Sequence, residues 1–132
     1  MRRTFTVFIL IIGLLMMSLA AFEGCLGRQV AGPTPTYTAM GELKATLAAP
    51  LPKAYRASEA ALRDLGIEVT ESKADQLTGK VQGKLTDERT VNIDLRSVDA
   101  NSSSVDIRVG TLGDEPFSRR ILSQIEKNLP KF

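Results

Sequence analysis

From Tyr37 onward, apolar and polar residues alternate. Tyr37, Ala39, Gly41, Leu43, Ala45 and Leu47 fall on one side, with Thr38, Met40, Glu42, Lys44 and Thr46 on the other. A period of two predicts a half-buried strand. Ala49-Pro50 breaks it. Leu51, Ala54, Tyr55, Ser58, Ala61, Leu62 and Leu65 then recur at helical spacing, which predicts a helix from Leu51 to Leu65 that Gly66 ends. Pro52 sits in its first turn, where a missing N–H costs nothing. Four more alternating segments follow, marked by Ile67 and Val69, by Leu77, Gly79, Val81, Gly83 and Leu85, by Val91, Ile93 and Leu95, and by Val105, Ile107 and Val109. Lys73-Ala74-Asp75, Thr86-Asp87-Glu88-Arg89 and Asp99-Ala100-Asn101-Ser102 read as short hairpin joints. Gly113-Asp114 opens a second helix, with Asp114 as N-cap, Pro116 in the first turn and Phe117, Ile121, Ile125 and Leu129 as the apolar stripe.

The element order is β-α-β-β-β-β-α. Each strand has one apolar face, so both helices are expected to cover that same face. This predicts a two-layer α+β domain over 37–132, with a five-stranded antiparallel sheet. The first strand pairs with the last, giving the order first-fifth-fourth-third-second. Gly79 and Gly83 fall on the apolar side. Their lack of side chains predicts close passage of the first helix, through Ala54, Ala57, Ser58 and Ala61.

The N-terminus has a different pattern. Arg2 and Arg3 precede an uncharged, largely apolar run from Thr4 to Phe22. A basic start followed by an apolar stretch is the form of a secretory signal. The run ends Leu19-Ala20-Ala21-Phe22-Glu23-Gly24-Cys25 and resembles a bacterial lipoprotein signal. In such signals a small residue precedes a Cys that becomes the acylated N-terminus. Gly24 and Cys25 fit, while Phe22 and Glu23 depart from the usual residues. On this reading 1–24 is a signal peptide, Cys25 is the lipidation site and 25–36 is a flexible tether rich in Gly and Pro. An uncleaved transmembrane anchor and cleavage near Ala20 or Ala21 are the alternatives.

Composition narrows the chemistry. The chain has no His, no Trp and one Cys. That excludes Ser–His and Cys–His nucleophile pairs, His-ligated zinc and an internal disulfide. Lys and Arg total 17 against 15 Asp and Glu, for a net charge of +2. So small an excess argues against a nucleic-acid partner. No cofactor and no metal site is expected.

Two stretches carry a family resemblance: Met40-Gly41-Glu42-Leu43-Lys44-Ala45-Thr46-Leu47-Ala48-Ala49-Pro50-Leu51, and Arg108-Val109-Gly110-Thr111-Leu112-Gly113-Asp114-Glu115-Pro116-Phe117-Ser118-Arg119-Arg120-Ile121-Leu122. With Gly66-Ile67-Glu68-Val69-Thr70 between them, they resemble domain-of-unknown-function family 3568, small bacterial lipoproteins without an assigned activity. The Gly-Thr-Leu-Gly-Asp segment is the specific part. The resemblance implies an envelope lipoprotein and carries no catalytic residues.

Three groups merit weighing as sites. Asp94 and Asp106 both face outward, and a carboxylate pair can do acid–base work. Cross-strand pairing is the alternative. The register that sets Arg96 beside Asp106 and Asp94 beside Arg108 is attractive and is expected over the one that opposes the two aspartates. Gly110-Thr111-Leu112-Gly113 precedes a helix N-terminus but reads as a turn and cap, since Asp114 and Glu115 already place negative charge there. Arg119, Arg120, Lys127 and Lys131 make a mildly basic C-terminus, consistent with a solvated helix face. The reading that results is a membrane-tethered, non-enzymatic binding or assembly module of the cell envelope, anchored by lipid, with an envelope protein as partner. A small hydrolase using carboxylates is the alternative.

Overall fold

The structure, a computed structural model, describes residues 34–131. Its elements in chain order are β1 (Thr36–Tyr37), β2 (Glu42–Leu47), α1 (Leu51–Asp64), β3 (Glu68–Ala74), β4 (Thr78–Lys84), β5 (Thr90–Asp99), β6 (Ser102–Val109) and α2 (Glu115–Asn128). All strand pairs are antiparallel, in the order β1-β2-β6-β5-β4-β3. The α+β class and the order of the long strands match the expectation. The sheet has six strands rather than five.

The extra strand comes from a reversal hidden inside the first alternating run. Gly41 has φ +79°. Its N–H bonds the Thr38 carbonyl at 3.0 Å, and the Thr38 N–H bonds the Glu42 carbonyl at 2.8 Å. The chain therefore folds back, setting Thr36 against Lys44 and Tyr37 against Leu43. Alternation continues through the turn in the sequence, so it carries no sign of the break. Only the left-handed conformation, cheap for glycine, makes it.

One face of the sheet holds the core. Leu43 and Leu47 of β2, Val81 of β4, Val91, Ile93 and Leu95 of β5, and Val105, Ile107 and Val109 of β6 are buried there. Leu51, Ala54, Ala57, Ala61 and Leu62 of α1 meet them, as do Ile121, Leu122 and Ile125 of α2. Helix α1 lies mainly over β3 and β4, and α2 over β2 and β6. The helices also touch each other: Asp64 Oδ2 accepts from Asn128 Nδ2 at 2.8 Å and from Gln124 Nε2 at 3.2 Å. Burial of this apolar surface is the main term holding the two layers together.

Gly79 and Gly83 are buried beneath α1, as their place on the apolar side predicts. A Cβ at Gly83 would lie 2.7 Å from Ile67 Cγ2 and 3.2 Å from Leu62 Cδ1; one at Gly79 would lie 3.1 Å from Tyr55 Cδ2. Leu77 does not join them: it is 69% exposed. It falls in the turn before β4, where its N–H and that of Thr78 donate to Asp75 Oδ1. That turn lies past the helical cover.

The helix ends follow their capping residues. Gly66, with φ +72°, terminates α1 one residue beyond Leu65, which is the C-cap rather than part of the helix. Asp114 caps α2, accepting from the Phe117 N–H at 3.0 Å. No helix among the described residues is long and apolar enough to cross a membrane.

Candidate functional site

Because both helices cover one side, the even-numbered residues of β2, β4, β5 and β6 stand on the uncovered side. The paired registers set them in rows. One row runs Lys44, Asp106, Asp94 and Lys80 across β2, β6, β5 and β4. The next runs Glu42, Arg108, Asn92 and Gln82. Several of these side chains are bonded to one another. Lys44 Nζ is 3.5 Å from both Asp106 Oδ2 and Glu42 Oε2, and Gln82 Nε2 donates to Asn92 Oδ1 at 2.8 Å.

The rows correct one expectation. Asp94 pairs with Asp106, not with Arg108, and Arg96 pairs with Ser104, not with Asp106. Both registers bury the same odd-numbered residues, so burial could not choose between them. Two features decide it. The hairpin turn, closed by Asp99 accepting from Asn101 and Ser102, carries an irregularity between Ser97 and Asp99 that shifts the ladder. The outer neighbours also supply what a two-strand view leaves out: Lys44 beside Asp106 and Lys80 beside Asp94. The carboxylates are opposed, but each has a lysine on its far side. A hollow of about 150 Å³ lies over Glu42, Lys80, Asn92, Asp94, Asp106 and Arg108.

A larger cleft, of about 720 Å³, opens at the end of this face. Its walls are the β4–β5 turn (Asp87, Glu88, Arg89) and the β6–α2 loop (Gly110, Thr111, Leu112), and Thr90, Asn92 and Arg108 complete the lining. Arg89 ties the first wall to the domain. It donates from Nε to Asp87 Oδ2 at 2.7 Å and from Nη1 to Asp114 Oδ2 at 2.8 Å, and it lies 5.9 Å from the Phe117 ring centre. The Arg89 guanidinium holds the carboxyls of both Asp87 and Asp114 below the ordinary range, helped by backbone N–H donors. The second wall is braced from below. Arg108 Nη2 donates to the Thr111 carbonyl at 2.9 Å, and Gly113 lies directly on Gly41.

The structure brings Asp94 and Asp106 together, as the carboxylate reading required, but between lysines. It makes Gly110, Thr111 and Leu112 a cleft wall, and Gly110-Thr111-Leu112-Gly113 the turn before the Asp114 cap. Arg119 bonds Glu115 within α2, while Arg120, Lys127 and Lys131 are exposed. Cys25, the signal at 1–24 and most of the tether lie outside the described residues; Thr36, at the end of the tether, is in β1. Among the described residues no group of three or more acidic or thiol side chains could hold a metal ion. Arg108 was read from sequence only as a partner for Asp94. Its outward position two residues before Gly110 is the available signal that it lines a loop cleft.

The model of a family described as a protein of unknown function, DUF3568, matches residues 6–128. The chain belongs to family DUF3568. The match takes in both walls of the cleft and every row of the open face. No curated protein matches the chain.

Proposed function

We propose that this DUF3568 chain is a bacterial envelope lipoprotein: exported, acylated at Cys25, and acting as a tethered, non-enzymatic binding or assembly module. The observation that carries the binding role is the one-sided architecture. Two helices cover one face, and the other presents rows of charged and polar side chains, several of them bonded to a neighbour, and a loop-walled cleft. Side chains already held by neighbours lose little freedom on docking, which favours recognition. The basic start, apolar run and solitary Cys25 support export and anchoring. A lipid anchor brings the module to a membrane surface, and a second acyl chain makes that attachment stable. The partner on this reading is an envelope protein and not a nucleic acid.

A carboxylate hydrolase is the second reading, favoured by the opposed Asp94 and Asp106. The lysines flanking both, and the small volume of the hollow, about 150 Å³, support a structural part for the pair instead.

The test has two arms. Mass spectrometry of protein purified from membranes should show loss of residues 1–24 and an added lipid mass, abolished in Cys25→Ser. A photo-crosslinker at Asn92 should trap a defined envelope protein that one at Glu126, on α2, does not. Recovery of full-length chain would favour the uncleaved anchor, and equal trapping from both positions would remove the sheet face as the binding surface.

A further inference from the structure

We propose that the cleft is a carboxylate-binding site centred on Arg108, which receives the free carboxyl-terminal chain end of the partner. This deepens the binding-module reading and rests on it.

The charges around the cleft are paired off with one exception. Arg89 is held by Asp87 and Asp114. Glu88 is engaged by Lys84. Glu42, the cross-strand neighbour of Arg108, has its carboxylate beside Lys44. Arg108 itself forms no ion pair among the described residues; its one bond goes to a neutral acceptor, the Thr111 carbonyl. Its Nε is buried and makes no hydrogen bond. A guanidinium partly stripped of water and not neutralised is a poor resting state, and an arriving anion improves it.

The ligand class follows from the surroundings. The Thr111 bond fixes the planar fork, which pre-organises it for a planar, bidentate anion such as a carboxylate. Asn92 and Thr90 add polar groups beside it. Asp87 and Glu88 on the opposite wall disfavour a dianion such as phosphate. Leu112, 90% exposed at the rim, offers apolar contact to a side chain next to the carboxylate.

The site is testable on the full chain in detergent micelles by amide chemical shifts. N-acetyl-leucine, which couples a carboxylate to an apolar side chain, should shift the Thr90 and Thr111 amides saturably. N-acetyl-leucinamide, without the charge, should bind at least about tenfold more weakly, the factor expected for losing hydrogen bonds to a charged group. Arg108→Gln should lose the acid response, and Arg108→Lys should retain only part of it, because a point charge lacks the fork. Equal binding of acid and amide, tighter binding of inorganic phosphate, or an unchanged response in Arg108→Gln would each overturn the proposal. The acid–amide comparison uses the unaltered chain and so does not depend on a variant folding. If the acid fails to bind while crosslinks from Asn92 persist, the Arg108 site falls and the binding module stands. If the acid binds but no partner is trapped, the reverse holds.

Discussion

Gly41 and Gly113 pass each other with their backbones in contact. A Cβ on Gly113 would lie 2.4 Å from both the Cα and the carbonyl oxygen of Gly41, and one on Gly41 would lie 2.4 Å from the Leu112 carbonyl oxygen. Both have positive φ, +79° and +83°. The β1–β2 turn is thereby locked to the loop that forms one wall of the cleft. Gly113→Ala meets backbone that cannot move aside and a conformation hostile to an L side chain. Urea unfolding should show a loss of about 3 kcal/mol or more. A change under 1 kcal/mol would mean that the two loops are not held together.

The two glycines under α1 should respond unequally. At Gly83 a side chain meets Ile67 and the Glu68 carbonyl, within 2.7 and 3.1 Å. At Gly79 the nearest atom belongs to the Tyr55 ring, which is only half-buried and able to shift. Gly83→Val is expected to cost about 1–3 kcal/mol by overpacking, and Gly79→Ala clearly less. Paired thermal denaturation curves would check the ranking, which a uniform effect of strand glycines would erase.

The Arg89–Asp114 pair gives stability an acid limb. The folded-state carboxyls of Asp114 and Asp87 are held below their ordinary value of 3.8. A lowered pKa contributes stability that is complete above the unfolded value and is lost as pH falls through the folded one. Unfolding midpoints should therefore drop below about pH 4, and the drop should shrink in Arg89→Gln. Asp114→Asn keeps an N-cap acceptor but loses the charge, so it should flatten the limb by lowering stability near neutrality to the level the unaltered chain reaches in acid. Asp114→Ala should cost a further ~1 kcal/mol at every pH, because the cap is gone.

The charge rows predict a salt effect of definite sign. Removing one flanking lysine is a small surface change, roughly 0–1 kcal/mol. Removing both, in Lys44→Ala with Lys80→Ala, leaves Asp106 facing Asp94 with no adjacent cation in their row. The double variant should be less stable than the two single changes together predict. Added salt should narrow the gap by screening the repulsion. Asp94→Asn in the same background should restore stability. If it does not, the lysines act through packing and not charge.

How far the chain could be read depended on what each signal measures. Strand alternation and the helical stripes follow from burial of one face, which acts through near neighbours, so the order β-α-β-β-β-β-α, the side facing the helices, the Asp114 cap and the Gly66 stop were legible in the residues. Alternation has period two and nothing else. It is blind to a left-handed glycine that reverses the chain, and Gly41 therefore hid a strand. It is equally blind to a slip of two residues, which keeps every apolar side chain inside while exchanging every charged neighbour, so the opposition of Asp94 and Asp106 came only with the turn geometry. Leu77 obeyed the parity but lay past the reach of α1, which depends on where the helix sits. The cleft is further still from the local pattern. Its walls come from two loops about twenty residues apart in the chain, and Arg108 meets them only because β5 and β6 pair between them. Sequence determined which side of each element seeks the core, because that is a property of a few adjacent residues. Tertiary structure decided which charges become neighbours, because that depends on register and on contacts between distant turns.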